Sequence, residues 1–191
     1  MKTALLSSLF STLSLLLSAH PDMDIVSGNE KSEYIISNGL MIFGDTDVNL
    51  DYDDAILRSG KDITHYPPSQ LEKVAVFDEA TGNMELYFSG SFGLNNKQYL
   101  FKILSEGTSS TLLYREGLQF SSYDESIYPP FFLLVDGQVY SLSTDKKELI
   151  KQLSAPYQKE LLSYIKDNHL DLTNKPDLIR LFEHYNVLQT E

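Results

Sequence analysis

An α+β fold, with an antiparallel β-meander followed by three short C-terminal helices, is what this 191-residue sequence predicts. Two pairs, Asn38-Gly39 and Asp136-Gly137, separate short apolar runs. Both central residues of a type I′ turn need positive φ, and Asn or Asp followed by Gly supplies it at least cost, so each pair marks a tight hairpin. Strand-like runs follow one another at close spacing with no helical pattern between them, which favours antiparallel pairing over crossover connections. From Ser143 onward the apolar spacing changes to that of a helix. Alternation of apolar and polar residues gives the sheet one dry face and one wetter face, as in a curved sheet or partly closed barrel.

Taken in order, residues 33–37 and 40–43 form the first hairpin, and residues 45–54 an acidic segment with Val48, Leu50 and Tyr52 alternating inward. Residues 55–58 and 62–66 pair around Ser59-Gly60. Pro67-Pro68 stops that run, because proline cannot donate to a ladder. Residues 71–77 and 84–88 flank a turn at residues 78–83, and residues 99–104 turn through Glu106-Gly107 into residues 110–114. A bulge at Gly117 would let Leu118 and its successors extend that hairpin. Residues 131–135 and 138–142 form the second strong hairpin. Asp145 followed by Glu148 has the spacing of an N-cap with a reciprocal carboxylate, ahead of Leu149, Ile150 and Leu153. Pro156 ends that helix and residues 157–168 form the next. Pro176 opens a third, in the first turn where its missing N–H costs little, and Leu178, Leu181, Phe182 and Tyr185 make its inward stripe.

Residues 4–17 are apolar behind a single lysine, the layout of a secretory signal peptide, and the run is shorter than the ~20 residues a membrane-spanning helix needs. An uncleaved anchor is the alternative. The organisation expected is a signal peptide at 1–19, a mobile leader at 20–32 and one α+β domain at 33–187, β-rich over 33–142 and helical over 143–187. The mature chain then carries no transmembrane helix, and its place is periplasmic, in the cell envelope or secreted. The sequence has no cysteine, so disulfides, thiolate metal sites and a cysteine nucleophile are all excluded. A formal charge of −12 repels nucleic-acid phosphates, and the densest basic pair, Lys146-Lys147, opens a helix, so no nucleic-acid partner is expected.

The most suggestive chemistry is the run holding Asp45, Asp47, Asn49, Asp51 and Asp53. Hard oxygen ligands at alternate positions suit calcium. As a helix–loop–helix calcium loop the run fails at Leu50, where glycine belongs, and at Ile56, where a bidentate glutamate belongs. The competing reading is a strand that shows these side chains to water. The histidines lack ligand spacing and are expected at caps or on the surface. With 27 acidic residues no chosen carboxylate pair is informative, and no nucleophile elbow or phosphate-cradling glycine loop is present. The 12 tyrosines suggest aromatic contacts at turns. Tyr123, Tyr128 and Phe131, in and beside a proline-ended loop, are the candidates for touching a partner, against a role in ordinary core packing.

Residues 99–107, Leu112-Leu113-Tyr114, residues 132–137, Lys146-Lys147 and residues 177–186 resemble a group of uncharacterised exported proteins of Bacteroidota-type bacteria. The resemblance covers about half of the chain and implies a β-rich body closed by C-terminal helices, with no catalytic residue to carry over. The function expected is that of a non-catalytic exported module, without a cofactor, that binds a protein or glycan partner. The alternatives are a calcium-stabilised surface protein using the acidic run, and an enzyme acting on an envelope polymer.

Overall fold

In the computed structural model the described residues are 32–93, 96–118, 130–153 and 155–190. The proposed signal peptide and most of the leader lie outside them, as do Tyr123 and Tyr128. Residues Lys31–Glu191 make one compact unit. Eleven strands and three helices occupy its described part. They are β1 (Tyr34–Ser37), β2 (Leu40–Phe43), β3 (Asp45–Asn49), β4 (Asp54–Ser59), β5 (Asp62–Tyr66), β6 (Lys73–Asp78), β7 (Asn83–Phe92), β8 (Lys97–Ser105), β9 (Thr111–Tyr114), β10 (Phe131–Val135) and β11 (Gln138–Ser141). Then come α1 (Lys146–Gln152), α2 (Gln158–Asp167) and α3 (Lys175–Leu188).

The main sheet has eight antiparallel strands in the order β11-β10-β9-β8-β7-β6-β1-β2, so β6 to β11 form an uninterrupted meander. Both hairpins form at the predicted pairs. Asn38 and Gly39 have φ of 51° and 75°, and Asp136 and Gly137 have 49° and 75°. The single meander needs one correction: β3, β4 and β5 leave it and pair among themselves as a separate three-stranded sheet, and the chain then returns so that β6 pairs with β1. Pro67 and Pro68 mark that return, with a 3-10 turn over Pro68–Gln70. The main sheet curls without closing into a barrel. β11 comes so close over β7 that a Cβ on Gly90 would lie 2.7 Å from Val139 Cγ2. A bulge lies between Ile103 and Ser105 on β8, and the extension expected past Gly117 falls, beyond Leu118, outside the described residues.

The helices begin and end near their predicted limits. Asp145 caps α1, accepting from the N–H groups of Lys147 (2.9 Å) and Glu148 (3.1 Å). The reciprocal half of the expected box is missing: the N–H of Asp145 donates to Ser143 Oγ at 3.1 Å, and the Glu148 carboxylate accepts from Lys151 at 2.7 Å. After α2, His169 takes φ of 52° and the N–H of Leu170 bonds the carbonyl of Ile165 at 3.0 Å, a left-handed C-terminal cap.

Three apolar clusters hold the unit together. In the first, Leu112, Phe131 and Leu133 of the sheet meet Leu149, Leu161 and Ile165 and the α3 stripe Leu178, Leu181, Phe182 and Tyr185. In the second, Ile35, Val74, Tyr87 and Leu100 of the main sheet pack on Ala55 and Leu57 of the three-stranded sheet. The third fills the inside of the curl with Tyr99, Phe101, Leu113, Phe132 and Val139. Helices as short as these depend on such packing rather than on intrinsic propensity. Among the described residues no helix is long and apolar enough to cross a membrane.

Candidate functional site

Tyr87 on β7, Lys102 on β8 and Tyr114 on β9 are register partners, so their side chains rise in a row from one face of the main sheet. Tyr87 belongs to the cluster under the three-stranded sheet, and Tyr114 packs against the cluster under the helices. Between those two coverings the row floors a cleft of about 600 Å3. One wall is the turn between β3 and β4, with Asp51 and Asp53. Another is the segment after β9, with Arg115 and Glu116. Lys175 enters at the start of α3, and Lys97 and Tyr99 enter from β8.

Arg115 holds the site together. It is 7% exposed, and its Nη1 lies 3.0 Å from Asp53 Oδ1 and donates to the carbonyl of Leu100, also at 3.0 Å. Its Nη2 donates to the carbonyl of Leu50. Asp53, at φ 52°, also accepts from the N–H of Leu100 at 3.2 Å. The guanidinium therefore ties the β3–β4 turn to the main sheet. Its Nε is buried and has no hydrogen-bond partner among the described residues.

The other cations divide into two kinds. Lys102 is paired with Glu85, whose second oxygen accepts from the Tyr87 hydroxyl at 2.8 Å. Lys97 and Lys175 instead lie over tyrosine rings, 4.7 Å from the centroid of Tyr99 and 3.5 Å from that of Tyr114. Burial pushes the Lys175 ammonium below its usual pKa, and the charge of Lys102 adds to the shift against the opposing pull of Glu116 and Glu85. Burial raises the Tyr87 phenol far above its usual value, with help from its bond to Glu85 and that carboxylate's charge. Tyr99 is raised too, first by burial and then by Asp53. Chemically the cleft offers N–H donors and positive charge beside carboxylate and phenol groups.

The five residues of the acidic run do not gather around one point. Asp45 and Asp47 project to solvent beside Arg58, at 3.7 and 3.8 Å. Asn49 Oδ1 accepts from the N–H groups of Asp51 (3.0 Å) and Tyr52 (3.2 Å), which ends the strand in a turn. Asp51 stands at the cleft, and Asp53 is drawn inward to Arg115. Because the strand stops at Asn49, Tyr52 is 82% exposed rather than inward as its alternation suggested. Among the described residues no three His, Asp or Glu side chains are grouped as a metal ion requires. Of the aromatic candidates only Phe131 is described, and at 3% exposed it packs under the helices, its ring 5.5 Å from that of Tyr114. His65 lies 2.9 Å from Asp54 but is largely exposed on β5.

Sequence reading missed the cations of the cleft. No stretch of the chain is dense in basic residues, and Lys97, Lys102, Arg115 and Lys175 come from three separate stretches. The available signal was a single cation set within an apolar strand, as Lys102 is between Phe101 and Ile103. Family models, curated proteins and solved structures give no match to this chain.

Proposed function

We propose that this chain is a non-catalytic binding module, exported to the periplasm, the cell envelope or the medium, and that the cleft beside Arg115 receives its protein or glycan partner. One observation carries the reading. In a chain of formal charge −12, four cationic side chains meet at one cleft. Two of them, Lys97 and Lys175, have no carboxylate within 4.0 Å among the described residues. Lys97 is exposed, whereas the ammonium of Lys175 is partly desolvated, which costs free energy unless something pairs with it, and a bound group of opposite charge or strong acceptor character would do so.

The test uses intact cells. A photo-cross-linking side chain replaces Asp51 at the cleft or, as a control, Asp62 at the far end of β5. An adduct from position 51 that disappears with Lys175→Gln, with the chain outside the cytosolic fraction, is the expected result. Equal adducts from both positions, no adduct from position 51, or recovery of the chain in the cytosol would overturn the proposal.

A further inference from the structure

We infer that the outer edge of β2 is a self-association surface, where a second copy of this chain adds its own β2 antiparallel across a two-fold axis at Ile42. No residue of β2 lines the cleft, so the inference is independent of the binding proposal.

The edge itself comes first. β2 ends the main sheet, and among the described residues no strand pairs with its far side. Leu40, Met41 and Phe43 are 68%, 51% and 59% exposed. Among the described residues no other strand or helix holds more than one exposed large apolar side chain. Residues 34–44 carry no charged side chain, in a chain of which 22% is charged. Sheet edges left open to water normally bear a charge, a proline or a bulge that blocks further pairing. The three-stranded sheet follows that rule, with Asp45 and Asp47 on β3 and Asp62 on β5. β2 does not.

Backbone hydrogen bonding decides how a strand must dock there. The N–H of Gly44 donates to the carbonyl of Glu33, and the carbonyl of Ile36, opposite Met41, accepts from the N–H of Glu72 on its other side. Alternation then turns the backbone groups of Leu40, Ile42 and Gly44 toward β1 and those of Met41 and Phe43 outward. Opposed residues of an antiparallel pair point to the same face, so under a two-fold axis their numbers must sum to an even value. With the axis at Ile42, Met41 faces Phe43 of the second copy on both sides of it, and each such pair exchanges both of its N–H···O bonds. With the axis at Met41 instead, Phe43 falls opposite Gly39, whose N–H is already given to Glu72 at 2.7 Å. The first arrangement also sets the thioether against an aromatic ring, opposes Leu40 to Gly44, and brings no two charges together over residues 40–44. An edge that selects a foreign peptide does so through pockets or charges for its side chains. β2 presents no charged or polar side chain, and its own sequence answers each backbone group it leaves open.

A contact of 4 residues a side is smaller than the ~1,200 Å2 of stable interfaces, so the pair is a reversible one. Sedimentation equilibrium on the purified chain should show monomer at about 5 µM and a dimer fraction growing toward about 1 mM. Because both copies are acidic, the dimer is expected to strengthen as salt rises from about 50 to about 500 mM. Met41→Lys with Phe43→Lys should give a monomer of unchanged circular dichroism, and so should Met41→Glu with Phe43→Glu. Mixing the two variants should restore the dimer, because opposite charges then face each other at both pairs. The chain has no cysteine, so Ile42→Cys places a single thiol at the axis. A non-hydrogen-bonded pair brings Cα atoms to ~4.5 Å, within disulfide reach, and oxidation should join two copies there but not through Asp62→Cys on β5. A chain that stays monomeric throughout, a dimer that survives Met41→Lys with Phe43→Lys or weakens with salt, mixed variants that stay apart, or equal cross-linking at positions 42 and 62 would each overturn the inference.

Discussion

The guanidinium of Arg115 meets acceptors on two elements, the carbonyl of Leu50 and the carboxylate of Asp53 in the β3–β4 turn and the carbonyl of Leu100 in β8. With side chains 7% and 11% exposed, Arg115 and Asp53 form a pair whose worth lies less in the attraction than in what is left when one partner goes. An isolated buried charge is costly, so Arg115→Met should lower unfolding free energy by about 3–5 kcal/mol in urea denaturation. Asp53→Asn in the same background removes the stranded carboxylate, and asparagine accepts a positive φ readily. The double variant is therefore expected to be more stable than Arg115→Met alone; equal or lower stability would show that the pair is not what matters there. Little of this was legible in the chain. Asp53 was readable only as one acid among several, because strand alternation says nothing about where a strand stops. Asn49 stops it by capping its own turn, and that one event sends Tyr52 outward and Asp53 inward. The meeting of Asp53, Lys102, Arg115 and Lys175 depends on how β3, β8, β9 and α3 are brought together, which no local spacing encodes.

Elements built on local chemistry were the ones the sequence disclosed. Two I′ turns, the proline stop before the 3-10 turn and the Asp145 cap all rest on a few neighbouring residues. Asp145→Ala should cost about 1 kcal/mol, read as a shift in the denaturation midpoint, since two N–H groups of α1 lose their acceptor. Glu148→Gln should cost far less, its carboxylate being committed to an exposed pair with Lys151 rather than to the cap. Pairing choices were less legible. Short strands of similar composition can join either sheet, and the departure of β3, β4 and β5 is decided by distant contacts such as Thr46 Oγ1 donating to the carbonyl of Ala75 at 2.7 Å. The close approach of β11 to β7 was hidden for the same reason. Gly90 permits it, and an added methyl would also sit 2.7 Å from Phe88 Cε1. Gly90→Ala is accordingly expected to lose about 1–3 kcal/mol through overpacking, measured in the same urea experiment. A neutral result would mean that the curl relaxes freely.

For the whole molecule the relevant variable is pH, because its charge of −12 is carried by groups whose folded environments differ. The carboxyls of Asp78 and Asp171 are held below their usual 3.8, each first by a side-chain hydrogen bond, from Thr81 and Thr173 respectively. A depressed carboxyl contributes stability that is present above 3.8 and is lost as pH falls through the folded value. Tyr87 works at the opposite end. Its raised phenol ionises in the unfolded chain near 10.0 while the folded one stays neutral, so its contribution is present below that pH and lost above it. Lys175 opposes Tyr87, since a lysine depressed from 10.5 burdens the fold at neutral pH and ceases to do so as pH rises past 10.5. Tyr87 should dominate, being 8% exposed and the group with the large shift. Unfolding free energy is therefore expected to be level from about pH 5 to pH 9, to decline in acid, and to fall above about pH 10. Tyr87→Phe keeps the ring but has no proton to lose, so it should start less stable, by its bond to Glu85, and then flatten the alkaline decline. A wild-type curve that is flat through pH 11, or a Tyr87→Phe curve that falls as steeply as the wild type, would show that the phenol is not buried in solution and that the floor of the cleft is open to water.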